Sequence, residues 1–304
     1  MAALSRLYDA YSRLPVFVGA SPLAGGRGLF ARRRLLAGEK VLTEHPLSCH
    51  PTDTQATCLT CLRSLPDERV GAHGRSYCGT RCSETRLSAL LRSPSFARFE
   101  AGVRLAASPA SGDPLLPVLC VRFALSSAAK KTASSHFEGL CLSVIHPPER
   151  PPRAWETTAA DAKALLAEHG VNVSAAWFLS ALSRVHANAF RVSRSPSSGM
   201  SNQQQTRAGA GTAVYGLSSY ANHSCDPTCD VSWPNDDAET AFSARHDIHE
   251  NEEVTISYVD ARKAVAVRRE SLLFGYGFRC TCHRCMAELA QEALETLGSP
   301  LEMM

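Results

Sequence analysis

Seven of the twelve cysteines in this 304-residue chain fall in two tight groups, and their spacing is that of metal ligands. Cys58-Leu-Thr-Cys61 is followed after sixteen residues by Cys78-Gly-Thr-Arg-Cys82, a pair of knuckles of the kind that hold one tetrahedral zinc through four thiolates. Two-residue spacing lets both sulfurs of a tight turn point at one ion, and Pro66, Gly71, Gly74 and Gly79 permit the turns between. A dithiol oxidoreductase would want its Cys-x-x-Cys at the start of a helix in a βαβ setting, whereas the flanks here are turn-like. Zinc is the better account.

The second group, Cys280-Thr-Cys282-His-Arg-Cys285, offers three thiolates where a closed zinc site takes four ligands. The fourth must come from elsewhere, and Cys225, Cys229, Cys49, Cys120, Cys141 and His283 are the candidates. Cys225 stands out because it sits in Tyr220-Ala-Asn-His-Ser-Cys-Asp-Pro227, a polar, turn-rich segment with the look of a site. If it is the ligand, the C-terminal knuckle is pinned over Asn222 and His223. Two other chemistries fail. A cysteine hydrolase assembles its triad from distant positions, and Asn222, His223 and Cys225 are crammed into four residues. Gly26-Arg-Gly28 has neither the third glycine nor the βαβ unit of a dinucleotide loop.

Elements able to position these residues are of mixed class. Val16–Val18, Gly25–Phe30 and Leu35–Leu42 read as short strands joined by glycine turns, and the same pattern recurs over Asp247–Tyr258. Asn251 fills the turn position that Gly38 holds in the first copy, asparagine being the side chain that best tolerates left-handed φ. Between these ends the chain is largely helical. Ser83 is expected to cap a helix carrying Leu87, Leu90 and Leu91; Thr158 with Asp161 is expected to open Ala159 to His169, stopped by Gly170; and Ser174 starts a helix with Phe178, Leu182 and Val185 on one face. Residues 191–212, rich in Ser, Gln and Gly, read as a mobile loop, and strands return at Val231–Trp233 and Thr240–Ile248.

Composition narrows the classes. With 44% hydrophobic and 20% charged residues the chain can bury a core, so disorder throughout is excluded. Arg122 and Arg184 interrupt the two apolar runs that approach a membrane span in length. A formal charge of +3, carried mostly by arginine, does not indicate a nucleic-acid groove, and Arg32-Arg33-Arg34 reads as a solvated face. Met1 to Leu14 lacks the apolar core of a secretory signal; it is amphipathic and nearly free of acids, which leaves organelle targeting open. Without export, a disulfide framework is disfavoured, so a nuclear or cytoplasmic zinc protein is expected.

Gly26-Arg-Gly-Leu-Phe30, Asn188-Ala-Phe190, Tyr215-Gly-Leu217, Asn222-His-Ser-Cys225, Thr255-Ile-Ser-Tyr258 and Tyr276-Gly-Phe-Arg-Cys-Thr-Cys-His-Arg-Cys285 follow one another in an order that resembles SET-domain protein lysine methyltransferases. The knuckle at 58–82 interrupts the domain where the SET and MYND subfamily carries its MYND finger. The resemblance implies an α+β, β-rich SET fold of short twisted sheets with a pseudoknot. Residues 1–48 would be its N-terminal part, 49–88 a MYND-like finger, 89–170 a helical insert, 171–262 the core, 263–288 a post-SET zinc knuckle and 289–304 a tail.

It also implies methyl transfer from S-adenosylmethionine to a lysine ε-amine of a histone or non-histone protein, with two structural zinc ions. Arg27, Gly28, Asn188, Asn222, His223 and Phe278 would hold the cofactor. Phe190, Tyr258 and Tyr276 would wall the lysine channel, with Tyr258 catalytic and nearest the methyl, and Cys225 would join Cys280, Cys282 and Cys285 on zinc. Four departures are plain. A full MYND finger binds two zincs, and only one fits Cys58, Cys61, Cys78 and Cys82, with His73 the one other soft ligand between the knuckles. Thr228 replaces a frequent Asn, and Arg27 a smaller polar residue. Met286–Met304 is shorter than the helical C-terminal domain of larger members, so a more open substrate groove is expected. A competing function is a zinc-stabilised interaction scaffold that lost catalysis. Nothing in the sequence speaks to oligomeric state.

Taken singly, Asn188 would be an ordinary helix end, and Phe190, Tyr258, Trp155, Trp177 and Trp233 packing residues. Cys49, Cys120, Cys141 and Cys229 have no partner spacing and read as plain thiols.

Overall fold

Apolar residues punctuated by glycine form strands near both ends of the chain, and runs with one apolar face form helices between them. This is the arrangement in a computed structural model that describes residues 12–22, 26–54, 56–65, 77–106, 113–127, 136–193 and 209–298. Pro66, Gly71, Gly74, His73 and residues 194–208 of the Ser- and Gln-rich stretch lie outside the described residues, as do 1–11 and 299–304. The strands are β1 (Val16–Ser21), β2 (Gly26–Ala31), β3 (Lys40–Glu44), β4 (Ser48–Pro51), β5 (Ala189–Ser193), β6 (Gly209–Val214), β7 (Asn222–His223), β8 (Cys229–Ser232), β9 (Thr240–Ala244) and β10 (Glu253–Ile256). The helices are α1 (Thr80–Ser83), α2 (Arg86–Leu91), α3 (Pro94–Leu105), α4 (Leu116–Ser127), α5 (Arg153–Glu168), α6 (Ala175–Asn188), α7 (Val265–Tyr276) and α8 (His283–Gly298).

Two compact units interleave along the sequence. The first comprises Leu42–Tyr220 and Val231–Phe242; the second comprises Pro15–Val41, Ala221–Asp230 and Ser243–Met304. In the first, β4, β6 and β5 form an antiparallel sheet in that order, accompanied by α1 to α6. Ser174 caps α6 as expected, accepting from the Trp177 N–H. Two helix starts differ from expectation. Thr85, not Ser83, caps α2 and exchanges bonds reciprocally with Ser88. α5 begins at Arg153, six residues before the expected start, because buried Trp155 and Thr158 extend the apolar face of Ala159, Ala162, Leu165 and Leu166 by one turn. Thr158 therefore lies inside the helix and donates back to the Ala154 carbonyl at 2.8 Å.

The expected loop over 191–212 is strand at both of its ends. β5 and β6 pair antiparallel with Phe190 opposite Ala213, and Val192, Ala210 and Ala213 are buried with Cys49, Leu62 and Tyr215. Small apolar residues scattered among Ser and Gln have too little bulk to announce a buried face, so composition alone misread them. Arg122, which breaks the apolar run in sequence, does not break the core: α4 is buried along most of its length and Arg122 is 1% exposed.

In the second unit the sheet order is β1-β2-β10-β7, with β1/β2 and β2/β10 antiparallel and β10/β7 parallel. The two sequence recurrences meet here. Leu35 and Ile248 exchange backbone bonds of 2.9 Å each, and both turn residues have left-handed backbone, Gly38 at φ 80° and Asn251 at φ 64°. Among the described residues no helix is long and apolar enough to cross a membrane.

Candidate functional site

Parallel pairing of β10 with β7 sets Asn222 beside Thr255 and His223 beside Ile256. The Asn222 Nδ2 donates to the Arg27 carbonyl at 3.0 Å and to Glu253 Oε1 at 2.6 Å. Both partners are acceptors, so the amide orientation follows from chemistry. Among the described residues nothing donates to Asn222 Oδ1, which is left as an acceptor for a ligand. Glu253, absent from the expected site, organises this corner, its Oε2 accepting from Ser21 Oγ at 2.9 Å. Its signal in the sequence is slight: a glutamate in a four-residue strand that is buried throughout. Gly28 is required by its position, since a Cβ there would approach Glu253 Oε1 to 2.3 Å and Asn222 Nδ2 to 3.0 Å.

Beside this corner, the rings of His223, Tyr258, Tyr276 and Phe278 gather. Centroids are 5.4 Å apart for His223 and Tyr258, 4.8 Å for Tyr258 and Tyr276, and 6.1 Å for His223 and Phe278. The Tyr258 hydroxyl donates to the Ala221 carbonyl at 2.8 Å, and its backbone N–H donates to His223 Nδ1 at 3.0 Å. His223 Nε2 lies 3.2 Å from Cys225 Sγ. Burial, reinforced by the Arg268 charge, pushes His223 down to about 4, and burial raises the Tyr276 phenol. His223 was expected to hold cofactor. Both of its ring nitrogens are already partnered, so its backbone remains the part available for that role.

The two cysteine clusters suit zinc. The sulfurs of Cys58, Cys61, Cys78 and Cys82, and those of Cys225, Cys280, Cys282 and Cys285, each lie within 4.8 Å of one another. Neighbouring sulfurs are 3.4 to 3.6 Å apart. Zn–S bonds of about 2.3 Å in a tetrahedron place sulfurs about 3.8 Å apart, and a disulfide would need about 2.05 Å. Cys225 is thus the remote fourth member of the C-terminal cluster. In the first cluster Cys58–Cys61 turns a small hairpin bridged by Thr57 and Ser64, with Leu62 held at φ 65° and its N–H on the Cys58 carbonyl at 3.0 Å. In the second, burial works against ionisation of Cys282, yet the backbone N–H groups of Cys285 and Cys225 bring it down to about 7, towards the thiolate that zinc requires. Fully buried Arg268 places Nη2 3.6 Å from Cys285 Sγ and 2.7 Å from Glu288, opposing the negative charge of four thiolates on one divalent ion.

Asn188 and Phe190 belong to the first unit. Asn188 Nδ2 donates to the carbonyls of Cys141 and Arg184, at 2.9 and 2.7 Å, tying down the end of α6. Phe190 packs edge-on against Tyr215, whose hydroxyl donates to the Ala238 carbonyl and accepts from Trp233 Nε1. Two buried polar groupings of this unit escaped sequence reasoning. Glu44 accepts from the backbone N–H groups of Gly216, Leu217 and Ser218 and from the Ser218 hydroxyl, at 2.7 to 2.9 Å, which fixes the Tyr215–Leu217 motif. Burial pushes its carboxyl up while the four donors pull it down. His50 bridges Arg122 Nη1 and Glu100, at 3.0 and 3.1 Å, and Arg122 Nη2 holds the Leu59 carbonyl of the first knuckle. Arg32, Arg33 and Arg34 rest on Val16 O, Glu39 and Asp247, a solvated face as expected.

A glycine corner, an Asn-His-Ser-Cys segment and a strand-end tyrosine on small β-sheets, stapled by a C-terminal cysteine knuckle, define a SET-type site. The SET domain family matches residues 26–259, more than half of the chain, and the chain belongs to it. A histone-lysine N-methyltransferase of Arabidopsis thaliana, ATXR4, is 26% identical over 299 residues, covering 90% of this chain and 86% of that protein. A SET and MYND domain-containing protein of Dictyostelium discoideum is 34% identical over 116 residues, 37% of this chain and 32% of the relative. SET domain and MYND-type zinc finger protein 6 of Schizosaccharomyces pombe is 40% identical over 78 residues, 26% of this chain and 15% of the relative. The chain thus spans most of the first relative and a third or less of the other two.

Proposed function

We propose that the chain transfers a methyl group from S-adenosylmethionine to the ε-amine of a lysine in a protein substrate, histone or non-histone, in the nucleus or the cytoplasm. The observation that carries this is the convergence, in the second unit, of the Asn222 Oδ1 acceptor with the rings of Tyr258, Tyr276 and Phe278. A scaffold without catalysis has no need of an acceptor held by two opposed bonds beside half-buried aromatic faces.

S-adenosylmethionine, when bound, supplies an electrophilic methyl on a sulfonium. Everything else falls to the chain. Asn222 Oδ1 accepts from a cationic or N–H donor on the cofactor, and Arg27 and Gly28 line it through backbone groups, since a side chain at 28 would strike Glu253. Phe278, about a third exposed, packs on the adenine. Tyr258 and Tyr276 wall the lysine channel; by excluding water they favour the neutral amine over the cation, which in solution has a pKa of about 10.4. Alignment of amine and methyl then contributes roughly 7 kcal/mol or more as effective molarity. The Tyr258 hydroxyl donates to Ala221 O, so it is held in place and orients the channel; it is not a base. Asn188 and Phe190 are assigned to the cofactor and the channel on the resemblance.

The test is calorimetric binding of S-adenosylmethionine to zinc-loaded protein, followed by transfer of labelled methyl to lysine-containing protein substrates. Micromolar binding, about −8 kcal/mol, that weakens at least about tenfold in Asn222→Ala supports the assignment. Absence of binding and of transfer in folded, zinc-loaded protein favours the interaction scaffold.

A further inference from the structure

We propose that His223 is a positioning residue that ties the C-terminal zinc site to Tyr258, passing the metal's hold on Cys225 through one imidazole to the backbone of the channel tyrosine. What Tyr258 does there rests on the methyltransferase reading; the tie itself stands on geometry. A backbone amide can only donate, so His223 Nδ1, 3.0 Å from the Tyr258 N, must carry a lone pair. The ring proton therefore sits on Nε2, which faces Cys225 Sγ at 3.2 Å, and a metal-bound thiolate can only accept. Each ring nitrogen has one role set by its partner. The side chain is buried, so water does not compete for either.

Tyr258 is held at both of its ends by the same short stretch. Its N–H reaches His223, and its hydroxyl donates to Ala221 O at 2.8 Å. Between these points the Ser224 N–H donates to Ile256 O at 2.9 Å, and the paired strands lock His223 against Ile256. Cys225 follows directly and is the sole member of its cluster from outside residues 280–285. Arg284 Nη1 donates to the Cys225 carbonyl at 3.0 Å, so the knuckle grips this residue through its backbone as well as its sulfur. The stretch 221–225 is thus clamped by the knuckle at one end and supports the tyrosine along its length. Metal in the knuckle has a direct mechanical route to the channel, and His223 is its central link.

The imidazole does two separable things, and two conservative variants separate them. An Asn at 223 can place its Oδ1 near the position of Nδ1 and keep the acceptor for Tyr258; a Gln can place an N–H near Nε2 and keep the donor to sulfur. In the full zinc-loaded chain, zinc release to a chelator is followed at both sites, with exchange of the Tyr258 amide hydrogen. His223→Ala is expected to speed release from the C-terminal site about 10- to 100-fold, to leave release from the Cys58 site unchanged, and to speed Tyr258 exchange. His223→Asn should speed zinc release but protect the Tyr258 amide, and His223→Gln the reverse. Release at the wild-type rate in all three variants overturns the proposal. Should the variants not fold, nitrogen-15 spectra of the wild-type histidines decide it: an Nε2–H tautomer at His223 supports the tie, and an Nδ1–H tautomer overturns it. None of these readouts involves methyl transfer, so they stand even if S-adenosylmethionine does not bind.

Discussion

The two cysteine clusters share a ligand set and differ in how the chain builds them. The first draws all four sulfurs from residues 58–82, whereas the second takes three from 280–285 and the fourth from Cys225, more than fifty residues upstream. A local cluster folds its own knuckle, and other segments then hold it by hydrogen bonds, as Arg122 and Ala238 do at the Leu59 and Cys61 carbonyls. A cluster completed from afar joins two segments, and here the joined segment carries Asn222, His223 and the support of Tyr258. Each cluster is also backed by a fully buried arginine, put to different use. Arg122 touches only backbone of the first knuckle, and burial lowers its pKa. Arg268 touches a ligand sulfur; burial works against its charge, but Glu288 and the sulfurs of Cys225 and Cys285 outweigh that and raise its pKa. Arg122 is a fold element, and Arg268 is part of the metal's electrostatics.

The sharpest way to break this comparison is to remove one ligand from each cluster. Cys225→Ser should lose one of two zincs and weaken S-adenosylmethionine binding by at least about 100-fold, while Cys58→Ser, also losing one zinc, should retain cofactor binding; zinc content with calorimetry reads both. Equal loss of cofactor binding in the two variants would erase the distinction. The arginines come next. Arg122→Leu strands His50 Nδ1 and the Leu59 carbonyl in the core and should cost about 3 to 5 kcal/mol in urea unfolding without changing zinc affinity. Arg268→Leu should instead weaken zinc in the C-terminal site, seen as faster chelation.

Smaller effects sharpen it further. Gly28→Ala drives a methyl into Glu253 and Asn222 and should weaken S-adenosylmethionine binding about tenfold, with roughly 1 to 3 kcal/mol of instability confined to the second unit. In the first unit, acid should act through His50. Burial, against the pull of Glu100, lowers His50 to about 4 from 6.5. The unfolded chain then takes up a proton below pH 6.5 that the folded chain refuses until about pH 4. Stability from this group is complete above about pH 7 and falls through that window by at most about 1.4 kcal/mol per pH unit. Urea midpoints from pH 7.5 to 4.5 should show the decline, and His50→Gln should lessen it, the remainder coming from His186 and His223, which burial also lowers to about 4. Least of all, Arg33→Ala and Arg34→Ala remove exposed pairs with Glu39 and Asp247 and should leave unfolding midpoints unchanged.

Much of the site was legible because its chemistry is local in sequence. Four sulfurs at knuckle spacing and Asn251 standing where Gly38 stands in the first copy each state their geometry within a few residues, and the left-handed backbone at both turns bears this out. The early start of α5 and the strands β5 and β6 were not legible, since each is decided by which small side chains are buried, and burial is a property of neighbours.

From the residues alone came the zinc chemistry of both clusters, the short list of candidates for the missing ligand, and the resemblance to SET-domain methyltransferases. The tertiary structure brings the sulfur of Cys225, which its own segment and the resemblance had already singled out, to 3.4 Å from that of Cys285. It also supplied what no spacing encodes: Glu253 fixing the Asn222 amide, Glu44 gathering three backbone N–H groups, and His223 turned inward between a sulfur and an amide. These are partnerships across tens to hundreds of residues. A buried polar group takes whichever partner the packing delivers, and the sequence names the group without naming that partner.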